Sequence, residues 1–129
     1  MNTQAWEILE QYRTLPFIWG ESDCFLFACH IQDALYGTVS YLEHKGQYHS
    51  KRSAIAYFSH QTQTRSVIDA SQTIWQFSSP LRGCIALKGA ACGIYLGQTC
   101  AFRHDEGLTI LPSCSADTFL KPKNPCKMT

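Results

Sequence analysis

The chain has 129 residues, a formal net charge of +1, 45% hydrophobic residues and 16% charged ones. That is the size and make-up of one domain able to bury a single core. It argues against a nucleic-acid-binding or membrane-surface protein, because no basic stripe or block is present. No apolar run approaches the ~18 residues of a membrane span.

The opening stretch, "MNTQAWEILEQYRTL", lacks the apolar centre of a signal peptide. The chain is therefore expected to be made in the cytoplasm without classical secretion. Thr3 to Arg13 reads as an amphipathic helix, with Trp6, Leu9, Tyr12 and Arg13 at helical spacing and Ala5 and Ile8 widening the apolar face. Pro16 ends it, because the residue before a proline is pushed out of the helical region. "WGES" is a turn. A second helix is expected over roughly Asp23 to Tyr36, with Ser22 as N-cap, Asp23 in the first turn and Gly37 as C-cap. Phe27, Ile31, Ala34 and Leu35 form its buried stripe.

"EHKGQYHS" reads as a polar connection, and Ser50 or Ser53 caps a third helix that ends near His60. Val67 to Phe77 fits a short helix or an irregular segment. Then the period changes. "CIALK", "GIYLG", "TCAFRH" and "LTILP" are short apolar runs between glycine-containing turns, which read as three or four antiparallel strands. "CSADTFL" fits a last helical turn or a strand. The order of helices followed by a strand meander gives an α+β fold, with N-terminal helices packed on a small antiparallel sheet. One domain is expected over residues 1–120, followed by a flexible tail over 121–129.

There are seven cysteines, and an odd number with no Cys-x-x-Cys pair fits neither a disulfide framework nor a zinc ribbon. Most read as small buried hydrophobes. Cys84, Cys92 and Cys100 recur at intervals of eight, so a metal or iron–sulfur site built from them and Cys114 is a lesser alternative. Otherwise no cofactor is expected.

Cys24 differs from the rest. It falls in the first turn of the second helix, where unpaired N–H groups and the helix dipole favour a thiolate. A thiolate there is placed to act as a nucleophile, with nearby N–H groups as an oxyanion hole. Asp23, its neighbour, opposes the thiolate electrostatically if it points inward.

The segment "PFIWGESDCFLF" resembles the nucleophile segment of the NlpC-type cysteine peptidases, papain-like enzymes that cut peptidoglycan stem peptides. "RGCIALKGAACGIYLG" resembles their central strand pair. The chain is most similar to short phage-tail proteins of that superfamily. The shared positions run in order: Pro16, Phe17, Trp19, Gly20, Asp23, Cys24, Phe27 and Ala28; Gly46, Tyr48 and Ala54; Arg82 and Gly83; Gly93, Ile94 and Gly97; Gly107, Leu108 and Pro112. The resemblance implies a papain-like fold with Cys24 at the nucleophile position. It breaks where the catalytic histidine should stand two residues before Gly93, because that position is Ala91. The aspartate expected after Arg82 and Gly83 is Cys84. His104, on the next strand, is the candidate substitute base or orienting residue, unless Arg103 faces the site in its place. Tyr12 and Trp19 are candidate substrate-groove residues, against a core role.

The resemblance therefore implies a tail-tip or tail-assembly structural protein with a degenerate site. Its partners would be other tail-tip or hub proteins, and its place the virion. The alternative is an active cysteine hydrolase cutting peptidoglycan stem peptides during DNA entry. Neither reading calls for nucleic acid or membrane insertion.

Overall fold

A computed structural model describes residues 1–63, 74–105 and 107–123. Among the described residues four helices come first: α1 (Thr3–Tyr12), α2 (Cys24–Tyr36), α3 (Ser40–His44) and α4 (Lys51–Thr62). Six strands follow: β1 (Trp75–Phe77), β2 (Ile85–Lys88), β3 (Ala91–Tyr95), β4 (Thr99–His104), β5 (Gly107–Pro112) and β6 (Thr118–Pro122). The result is an α+β fold on an antiparallel sheet. Among the described residues no helix is long and apolar enough to cross a membrane.

The helices begin and end for local reasons. Asn2 caps α1 by accepting from the Ala5 N–H at 2.8 Å. The buried face of α1 is Ala5, Ile8, Leu9 and Tyr12, whereas Trp6 is exposed. In α2 the N-cap is Asp23, not Ser22. Ser22 turns back into the preceding loop, donating to the Pro16 carbonyl at 2.6 Å and accepting from the Ile18 N–H at 3.0 Å. Gly37 closes α2 at φ 71°, a left-handed turn that glycine adopts without strain. The short α3 was not expected and runs into the first two residues of the expected polar connection, Glu43 and His44. It is held by Asp33, which accepts from the Ser40 and Tyr41 N–H groups at 3.0 and 2.8 Å. Ser50 and Ser53 act together at the start of α4, each side chain bonding the other's backbone N–H.

The strand order is β1-β6-β2-β3-β4-β5. The β2–β5 meander was expected. The C-terminal strand β6 then crosses back to pair with β2 on one side and β1 on the other. "CSADTFL" thus supplies both a 3-10 turn at Ser113–Ser115 and most of a strand. Lys121 and Pro122 are the last two residues of β6.

Strand parity sorts the side chains into two layers. Ile85, Leu87, Cys92, Ile94, Ala101 and Leu120 pack with α1 and α2. Ala86, Cys100 and Phe102 lie on the other face with Ala91, Tyr95, Leu111 and Phe119. Gly93 is the close point. A Cβ built there would lie 2.5 Å from the Ala101 carbonyl oxygen and 2.6 Å from the Phe102 ring. A side chain at 93 would therefore push β4 away from β3.

Candidate functional site around Cys24

The loop from Arg13 to Ser22 sets where Cys24 sits, and it is tied from both sides. Asp23 is buried, and its two carboxylate oxygens accept from the Gly20 N–H at 2.8 Å and the Leu26 N–H at 3.0 Å. One bond caps α2 and the other fixes the turn before it. Gly20 has φ 85°, and a Cβ there would lie 1.9 Å from the Tyr48 carbonyl oxygen, so only glycine fits.

The second tie is Arg103. Its guanidinium is buried and donates to five carbonyls: Ser22 at 2.9 Å, Tyr12 at 2.8 Å, Leu15 at 2.8 Å, Pro16 at 2.9 Å and Gly107 at 3.4 Å. It also lies over the rings of Tyr12 and Phe17, at 5.1 and 5.8 Å. Burial lowers its pKa, while the Tyr12, Asp23 and Cys24 groups favour its charge. The side chain that the sequence offered as an alternative to His104 therefore points into the helix layer.

Cys24 is the first residue of α2 and is half-buried. Its side chain packs against the buried cluster that includes Cys92 of β3. The Cys92 S–H donates to the Cys24 sulfur, and this bond is the main cause of a Cys24 pKa below that of a free thiol. The backbone N–H groups of Cys92 and Cys24 also lower it, while burial and the Asp23 charge oppose the shift. Cys92 is the complement. Its donated bond, its burial and the nearby Cys24 sulfur all hold its thiol well above the usual range. Cys29, one turn further along α2, is fully buried in the same cluster and is pushed up by burial.

The expected site residues fall as follows. Cys24 and Asp23 stand together at the start of α2. Ala91 is not the residue across from Cys24. It packs on the outer face of the sheet, and the next residue, Cys92, faces the helix. His104 shares strand parity with Cys100 and Phe102 on that outer face, so the site receives Arg103 and not His104. Tyr12 belongs to the core and not to a groove. It is 1% exposed, packs against Phe27, and its hydroxyl meets His30 Nδ1 at 3.2 Å. Trp19 is half-buried and edges onto Phe17. Of the other imidazoles, His44 is bonded to the Tyr57 hydroxyl at 2.8 Å, and His49 and His60 are exposed.

The proposed cysteine ligands do not converge. Cys92 and Cys100 lie on opposite faces of the sheet, and Cys114 is exposed in the 3-10 turn. Among the described residues no three His, Cys, Asp or Glu side chains are placed to hold a metal ion. Cys126 lies outside the described residues. A groove of about 430 Å³ is lined by residues that include Ile8, His30, Asp33, Tyr41 and Leu42, and Cys24 is not among them.

Two features escaped the sequence reading. One is Cys92 as the partner of Cys24. The signal was strand parity, since Ile94 belongs in the core and a residue two positions earlier must share its face. The other is Tyr48, which is 3% exposed with a hydroxyl that has no well-aligned partner among the described residues. Burial and then the neighbouring Asp23 carboxylate raise its pKa above the phenol range.

Comparison with known proteins gives a family without an activity. The family model described as Domain of unknown function (DUF6950) matches residues 2–121, and the chain belongs to that family. Neither the curated proteins nor the solved structures yield a significant match.

Proposed function

We propose that this protein is a structural component of a phage or prophage tail tip, built on an NlpC-type papain-like fold whose peptidase site is degenerate. The observation that carries the reading is the partner of Cys24. In a cysteine peptidase the thiol needs an imidazole to take its proton and return it to the leaving amine. Here the group against the sulfur is a second thiol, Cys92, held above the usual thiol range. Such a group donates a hydrogen bond but does not accept a proton at neutral pH. Around that site the nucleophile-type turn is kept, with Asp23 and Arg103 holding the loop in place. A scaffold retained without its base suits docking to other tail proteins better than turnover.

The second reading is an active cysteine hydrolase acting on peptidoglycan stem peptides. The lowered Cys24 pKa favours it, because a thiol shifted that way gives up its proton more readily.

The test has two arms. Mass spectrometry of virions purified from a host carrying the gene should find the chain in the tail fraction, and a Cys24→Ala variant should leave infectivity unchanged. Absence of the chain from virions would overturn the structural role. In the second arm, purified protein is incubated with peptidoglycan stem peptides, and no cleavage is expected. Cleavage that disappears in Cys24→Ala would replace the first reading with the second.

A further inference from the structure

We infer that Cys24 and Cys92 form a redox-active dithiol, which low-molecular-weight disulfides oxidise to an intramolecular disulfide. The inference goes beyond the tail-tip reading and does not depend on it.

Three features of the pair support this. First, Cys24 at the first turn of α2 packs against the apolar cluster that holds Cys92 of β3, and hydrogen bonding between the two sulfurs is the main cause of the lowered Cys24 pKa. A disulfide needs them to close to about 2.05 Å. Cys92 is the second residue of β3, next to the Gly89–Ala90 turn of the β2–β3 hairpin, so the strand end nearest the turn is the part that must yield. Second, the pair is asymmetric in access. Cys24 is half-buried, whereas Cys92 is buried at 7% exposure. An incoming disulfide therefore meets Cys24 first, and Cys92 is placed to resolve the adduct. Third, the pair is asymmetric in charge, in the sense that exchange requires: Cys24 is the readier thiolate and Cys92 keeps its proton.

The chemistry balances with a glutathione-type disulfide as oxidant. The Cys24 thiolate attacks one sulfur of the reagent, its S–S bond breaks, and one thiolate leaves. The Cys92 thiol then gives up its proton to that leaving thiolate and attacks the Cys24 sulfur. The mixed S–S bond breaks, the Cys24–Cys92 bond forms, and a second thiolate leaves to take a proton from solvent. The protein loses two electrons, and the reagent is reduced to two thiols. Cys29 shares the cluster but is fully buried on α2, and its thiol is the competing resolver.

The test uses the full chain carrying Cys114→Ser and Cys126→Ser, which remove the exposed thiol and the one outside the described residues. Reduced protein is treated with glutathione disulfide, quenched in acid, blocked and measured by intact mass and peptide mapping. The expected product lacks two hydrogens, carries no glutathione and yields a linked Cys24–Cys92 peptide. Dithiothreitol should return both thiols. Adding Cys92→Ala should halt the reaction at a single glutathione on Cys24, with circular dichroism confirming the fold. Three results would each overturn the inference: a parent protein left unmodified, a lasting glutathione adduct on Cys24 with Cys92 present, or a disulfide joining Cys24 to Cys29. The parent protein alone decides the outcome if the Cys92 variant does not fold.

Discussion

Asp23 and Arg103 hold one turn from two sides, and neither is replaceable by shape alone. The Asp23 carboxylate needs both oxygens as acceptors, one for Gly20 and one for Leu26. Asp23→Ala removes the cap of α2 and the tie to the turn, and should cost about 2 kcal/mol in urea denaturation. Asp23→Asn offers one acceptor and one donor to two N–H groups, so its midpoint should lie between those of the parent and the alanine variant. Arg103→Met keeps much of the stem but takes a donor from the Tyr12, Leu15, Ser22 and Gly107 carbonyls and leaves Pro16 with the Ser22 hydroxyl alone. It should cost about 3 kcal/mol or more. It should also raise the labelling rate of Cys24 by iodoacetamide, because the turn that leads into the first residue of α2 loosens.

At the scale of the element, the strand pair β3–β4 is the least forgiving. Gly93→Ala brings a methyl within 2.5 Å of a backbone oxygen that cannot move without breaking the ladder. A loss of more than 3 kcal/mol, or failure to fold, is expected from equilibrium unfolding. Periodicity made α1, α2, α4 and β2–β5 legible in the sequence, because each buries one face and carries its own cap or turn residues. What it did not reveal depends on distant partners. α3 is held by the Asp33 carboxylate rather than by an apolar face. β6 reads equally as a helical turn or a strand until its pairing with β1 and β2 is known. The place of Cys24 at the start of α2 was legible. The identity of the residue opposite was not, since aligning Ala91 with a catalytic position takes no account of which face of β3 meets the helix.

At the scale of the whole molecule, the buried titratable groups set a stability optimum in pH. Burial lowers the pKa of His30 and His44 below the ordinary histidine value, so the folded state binds fewer protons than the unfolded state. Their contribution is present above about pH 6.5 and is lost as pH falls through the lowered values. The buried thiols act in the opposite direction. Burial raises Cys29 and Cys100 and takes Cys84 to about 11, and the hydrogen bond to Cys24 together with burial raises Cys92. Their contribution is intact below about pH 8.5 and is lost as pH climbs through the raised values. Urea midpoints of reduced protein should therefore be highest near pH 7 to 8 and fall on both sides. His30→Gln with His44→Gln should flatten the acid limb and leave the alkaline limb in place.

The buried guanidinium of β4 also bears on the order in which the chain is made. The carbonyls of Tyr12, Leu15, Pro16 and Ser22 leave the ribosome about 80 to 90 residues before Arg103 reaches them. During that interval α1 and α2 can form from local contacts, but the turn before Cys24 has no counter-charge to shape it. Synthesis of the meander therefore completes the neighbourhood of the thiol, and Cys92 itself arrives only shortly before. A nascent chain halted before β4 would carry the cysteine without its surroundings.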